Sequence, residues 1–174
     1  IAILLPYKED FTETNAGAVS IFINDTNKLS NYRKNIKVYG YTSSEDKFKN
    51  YINLFIKKNF FNSTSLQYLN KFLAETKNIK IDILEIHNRP NYVNLLDKNY
   101  KSKKILFFHN DPQMMLGSRT INERINLLNK IDKIIFNSDW SKLRFLENLP
   151  NDIDYNKIIV IPQSTSKTDV SFDK

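Results

Sequence analysis

The chain contains no cysteine in 174 residues. That absence excludes a disulfide framework, a cysteine nucleophile and thiolate-held zinc or iron–sulfur sites, and it fits a reducing compartment. Glycine is scarce, at three residues. No GxGxxG, P-loop or Gly-x-Ser-x-Gly elbow occurs, so the glycine-built phosphate cradles and the serine-hydrolase turn are missing. No apolar run approaches the roughly 18 residues that cross a bilayer. No signal-peptide pattern is present in these residues. The chain opens at Ile1 inside an apolar run, so the expected true start lies upstream or very close by. Histidine is the rarest titratable side chain, with two copies.

What is present suffices for one domain. At 41% hydrophobic and 13% aromatic residues, a chain of this length can bury a core. The formal charge is +7. A surplus of that sign suits a nucleotide, a nucleic acid or an acidic membrane surface. The lysines are nevertheless spread along the chain, with short clusters such as Lys101–Lys104. The surplus therefore reads first as composition and steering, and no nucleic-acid partner is expected on charge alone. The aromatic, basic stretch from Lys47 to Phe61 reads as a loop with rings turned inward and lysines solvated, holding a short strand or turn between Ile52 and Ile56.

Hydrophobic periodicity orders the chain. Apolar runs closed by turn residues predict strands at Ile1–Leu5, Ile36–Tyr41, Ile81–Ile86, Ile105–Phe108, Ile134–Phe136 and Ile158–Ile161. Helical spacing predicts a helix from near Gly17, with Val19, Phe22, Ile23, Thr26 and Leu29 on its apolar face. A second follows the caps at Asn62–Ser65 and runs to about Asn78, and a short third starts at Pro90. A fourth carries Ile121, Ile125, Leu128 and Ile131 behind a capping box at Thr120–Glu123. A fifth is capped by Ser138 or Asp139 and turns Leu143, Leu146 and Leu149 inward. The alternation is that of an α/β fold, Rossmann-like, with an open, mainly parallel sheet and helices on both faces.

Such sheets take ligands outside the carboxyl ends of their strands. Both histidines fall there, in one repeated local pattern: an apolar run into His87-Asn88-Arg89-Pro90, and another into His109-Asn110-Asp111-Pro112. At a cleft edge a histidine can donate, accept or shuttle a proton. His109 is the candidate catalytic residue. Arg89, close behind His87, is the better candidate for an anionic ligand, and Arg124 is expected to face solvent. Small residues at the first helix start, Gly17 and Ala18, could approach a phosphate, or could merely permit tight helix–sheet contact. His87 and His109 with Glu85 and Asp111 could supply metal ligands, but no local spacing supports a metal site and none is expected. The competing reading is a non-catalytic α/β ligand-binding module in which both histidines are structural.

Glu85-Ile86-His87-Asn88-Arg89-Pro90-x-Tyr92, Phe108-His109-Asn110, Phe136-Asn137-Ser138-Asp139-Trp140 and Ile159-Val160-Ile161-Pro162 resemble the N-terminal domain of family 4 glycosyltransferases, of the GT-B fold. Leu4-Leu5-Pro6 and Ala16-Gly17-Ala18-Val19 are similar to that family's first strand, loop and helix. The resemblance spans Ile1 to about Pro162. It implies a metal-independent, cofactor-free transferase moving a sugar with retention from a nucleotide-sugar donor to an acceptor hydroxyl on a glycan or lipid. It implies His109 beside the transferred sugar, Gly17 and Ala18 near the donor diphosphate, and His87, Asn88, Arg89 and Asn110 on the substrate side. It further implies residues 1–162 as the acceptor-side half and 163–174 as a polar linker towards a second, donor-binding domain. The expected setting is cytoplasmic, with peripheral contact at the inner membrane face for a lipid acceptor. A half of this kind is expected to be inactive alone.

Overall fold

The computed structural model describes residues 1–57 and 61–163. Seven strands form one parallel sheet: β1 (Ala2–Leu4), β2 (Lys37–Gly40), β3 (Tyr51–Asn53), β4 (Ile83–His87), β5 (Lys103–Phe108), β6 (Lys133–Phe136) and β7 (Ile158–Val160). Their spatial order is β3-β2-β1-β4-β5-β6-β7. The helices are α1 (Ala18–Leu29), α2 (Thr64–Thr76), α3 (Pro90–Leu95), α4 (Ile121–Lys130) and α5 (Asp139–Leu146). Connections between parallel strands are right-handed. The step from β1 to β2 runs towards one edge of the sheet, and the steps from β3 onwards run towards the other. Hence α1 covers one face and α2 to α5 cover the opposite face.

Strand side chains alternate between these faces. Leu84, Ile86, Leu106, Phe108, Ile134 and Phe136 join Tyr68, Phe72, Tyr92, Leu127 and Phe145 in the larger core beneath α2 to α5. Ile3, Leu5, Val38 and Phe107 join Phe22 and Ile23 of α1 in the smaller one. Burying each such side chain contributes ~1.5–3 kcal/mol. Helix starts follow the local chemistry. Ser63 Oγ accepts from Leu66 N at 3.2 Å, and Pro90 opens α3 at its first turn. Thr120 and Glu123 exchange both bonds of a capping box.

Some side chains take faces that apolar spacing alone did not assign. On α4, Ile121 is 41% exposed, while Leu127 and Arg124 are buried. The expectation that Arg124 faces solvent is thus overturned. Its guanidinium turns inward, donating to Arg119 O at 3.1 Å and Glu147 O at 2.7 Å. On α5 the cap at Ser138 sets the phase. Ser141 and Phe145, four apart, face the core, and Leu143 is left outside. Leu29 of α1 is also exposed. Doubly covered strands hold for the sheet centre and not for its edge: Ile159 of β7 is 38% exposed on the α1 side. Within Lys47–Phe61 the short strand is β3, and the Phe48 and Tyr51 rings pack against Phe11. Residues 164–174 of the expected linker lie outside the described residues.

The sheet's direction of growth reverses between β1 and β4. Above that point the chain is tied down by tyrosines: Tyr68 Oη donates to Leu5 O at 3.2 Å, and Tyr92 Oη accepts from Tyr7 N at 3.1 Å. The start of the β1–α1 loop is thereby fixed against α2 and α3.

Candidate functional site at the carboxyl edge of the sheet

The repeated His-Asn pattern becomes one structure. His87 ends β4 and stands opposite Phe107 in β5. His109 lies two residues beyond Phe107, so strand alternation puts both imidazoles on the α1 face. His87 is fully buried and His109 half-buried. The two rings are near coplanar, at 20°, and meet edge to edge, with His87 Nδ1 and His109 Nε2 2.8 Å apart. Phe107 lies within 5.3 Å of both ring centres, and Phe22 of α1 meets His109 edge-on.

Glu85 completes the line, its Oε1 2.6 Å from His87 Nε2. Ionised, it can only accept, so His87 carries its proton on Nε2. The Gln163 Nε2 amide can only donate, so His109 Nδ1 accepts and the His109 proton sits on Nε2, directed at His87 Nδ1. That leaves His109 Nδ1 with a lone pair directed outward, where the Gln163 side-chain amide meets it. Burial, with the neighbouring His87 second, pushes the His109 pKa down to about 3. At neutral pH the ring is therefore an uncharged hydrogen-bond acceptor of fixed tautomer. It suits orienting a hydroxyl better than storing a proton, since a base works best with a pKa near the operating pH.

Asn88 makes the turn that sets this register. It sits at φ +50, a left-handed conformation that asparagine tolerates. Its N–H donates to Phe107 O at 2.9 Å, and its Oδ1 accepts from His109 N at 2.8 Å. Asn137 Nδ2 holds His109 O at 2.9 Å. Arg89 donates to Asn88 O at 2.8 Å and borders a cavity of about 250 Å³ with Ser65, Met114, Met115 and Leu116. Asn110 is exposed beside His109. Asp111 turns to other work, capping Gln113 N at 3.0 Å and facing Arg144 at 3.5 Å.

Gly17 and Ala18 lie exposed at the start of α1, with Gly17 as its N-cap. No local pattern announces what stands there. Glu9 Oε1 is only 2.6 Å from the point a Cβ on Gly17 would occupy, and Ser20 Oγ donates to the same oxygen at 3.2 Å. A carboxylate thus holds the place assigned to a phosphate. Gln163 and Asn137 were likewise not singled out as partners of the histidines, and Glu85 was grouped with them only as a possible metal ligand. Glu85 had a legible signal: an acid two residues before a histidine in an apolar strand shares its face.

The order of strands and the reversal beside β1 are those of a Rossmann-like half-domain of the GT-B type, a mostly parallel sheet flanked by helices on both faces. Among solved structures it matches HepE from Anabaena, determined in complex with UDP-glucose, with a TM-score of 0.58 and 13% sequence identity. The match covers 93% of this chain and 43% of HepE, so the chain spans less than half the length of that protein. At this identity the likeness carries the fold alone. No family model and no curated protein matches the chain.

Proposed function

We propose that the chain is the acceptor-side, N-terminal half of a retaining glycosyltransferase of the family 4 type. It helps transfer a sugar from a nucleotide-sugar donor to an acceptor hydroxyl on a glycan or lipid. The observation that carries this reading is the Glu85–His87–His109 line, which presents one neutral acceptor nitrogen at the sheet's carboxyl edge. A glycosyl donor offers hydroxyls to such a nitrogen. A nucleoside diphosphate sugar, the class bound by HepE, is the proposed donor.

In this reading His109 orients the transferred sugar. His87 and Asn88 hold it in place, and Arg89 and Asn110 face the substrate. Gly17 and Ala18 receive the donor diphosphate once the Glu9 carboxylate turns aside. Transfer proceeds without a metal, the leaving diphosphate being met by backbone N–H groups and by a donor-binding second domain. A lipid acceptor would place the protein at the periphery of the inner membrane face, on its cytoplasmic side.

The test is a transfer assay on a protein that carries both halves. His109→Ala should lower kcat by on the order of a hundredfold, the effect of losing one positioned group, a far larger effect than its cost in folding stability. Undiminished transfer would return His109 to a structural role.

A further inference from the structure

A wide concavity lies away from the histidines. It is a cavity of about 820 Å³ bordered by α1, the turn before β2 and the turn before β3. Four cations line it: Lys28, Arg33, Lys34 and Lys49. The one carboxylate among its lining residues is Glu13. Phe11 and Phe48 form an apolar wall, their rings edge to face at 5.0 Å. Asn50 Nδ2 donates to Arg33 O at 3.3 Å and ties two sides together. Arg33 and Lys34 precede β2, and Lys49 and Asn50 precede β3, so this hollow sits towards the amino ends of the strands. His109 stands at their carboxyl ends.

Several lysines elsewhere have partners. Lys71 meets Glu75, Lys104 meets Asp132, and Lys157 donates to Leu128 O. In the hollow, Lys28 is placed over the Phe48 ring at 6.0 Å and near Asp25 at 3.9 Å. The side chains of Arg33, Lys34 and Lys49 have no carboxylate within ion-pair distance among the described residues. Convergent, unpaired positive charge in a concave site repels itself and concentrates counter-anions. Arg33 adds a planar fork matched to phosphate oxygens.

We propose that this cavity is a binding site for a phosphate-bearing ligand. The phosphate lies among Arg33, Lys34 and Lys49, and the ligand's less polar body rests against Phe48. Nothing in this site requires the glycosyl-transfer reading. Its phosphate could be that of a soluble ester or of a lipid headgroup, and the two are separated by experiment.

The 174-residue chain is titrated with inorganic pyrophosphate by calorimetry, and floated with phosphatidylglycerol vesicles against phosphatidylcholine vesicles. The same is done with the triple variant Arg33→Gln, Lys34→Gln, Lys49→Gln, and with a control, Lys101→Gln with Lys142→Gln, which removes charge elsewhere. The three cavity side chains are exposed, so the fold should persist, as thermal melts will check. Pyrophosphate binding that weakens on the order of tenfold or more in the triple variant, and survives in the control, supports a soluble ester. Selective flotation with phosphatidylglycerol showing the same dependence on the variants, without pyrophosphate binding, supports a lipid headgroup. Binding to neither probe, or equal loss in both variants, overturns the proposal.

Discussion

A histidine at a cleft edge can either move a proton or hold a hydroxyl, and its pKa separates the two tasks. Burial and His87 keep His109 neutral, with a pKa near 3 against an ordinary 6.5. The sign for stability follows. Between pH 6.5 and about 3 the unfolded chain binds a proton at this position that the native protein refuses, so stability falls as the pH drops through that window. By pH 5 the loss should be on the order of 1–2 kcal/mol, reduced where solvent reaches the ring. Urea unfolding at pH 7 and pH 5 checks this: a His109→Gln variant should lose less on acidification than the parent, and equal losses would contradict it. Residue identity alone marked both histidines, because His-Asn at a strand's end is visible as a pattern. Their direct hydrogen bond was not visible, since it depends on the β4–β5 register, which a strand learns only from its neighbour.

The start of α1 and the seam between α4 and α5 are where single elements carry consequences. An anion favours the N-terminus of a helix, and Glu9 already supplies one beside Gly17. If Gly17 and Ala18 serve a diphosphate, Glu9→Gln should tighten binding of a nucleoside diphosphate roughly threefold to tenfold by removing a competing charge. Titration calorimetry reads this directly, and weaker binding would assign Glu9 to holding the loop. At the other seam, buried Arg124 bonds carbonyls at the end of α5 and before α4, while its Nε has no partner among the described residues. Burial lowers its pKa, with Glu147 opposing. Arg124→Ala should destabilise the protein by ~2–3 kcal/mol, because carbonyls lose a charged donor and a void opens. A change under about 0.5 kcal/mol in urea unfolding, the range of an ordinary surface substitution, would return Arg124 to the solvent-facing role. Helix existence and caps were legible here, since Thr120–Glu123 and Ser138 act locally. The buried faces were not, because apolar spacing on α5 favoured Leu143 while the helix phase turned Phe145 inward.

At the scale of the whole molecule, the two faces of the sheet are covered unequally. Among the described residues α2 to α5 cover one face of the sheet and α1 covers the other. The carboxyl edge, with His109 and Arg89, opens outward. Sugar transfer demands a site that excludes water and aligns donor with acceptor, and a single half-domain leaves that edge open. The 174-residue chain by itself should therefore show no turnover of a nucleotide sugar, as chromatography of a radiolabelled donor incubation will register; measurable transfer would refute the half-enzyme reading. The sequence by itself determined the α/β alternation, most strands and caps, and the edge on which both histidines fall, because strand period, helix period and capping are short-range properties. The tertiary structure alone decided that Glu85, His87 and His109 form one hydrogen-bonded line, that Glu9 stands at Gly17, and that Arg33, Lys34 and Lys49 share a hollow. Those meetings join segments set apart along the chain, and only parallel pairing and the direction of each crossover bring them within a few ångströms.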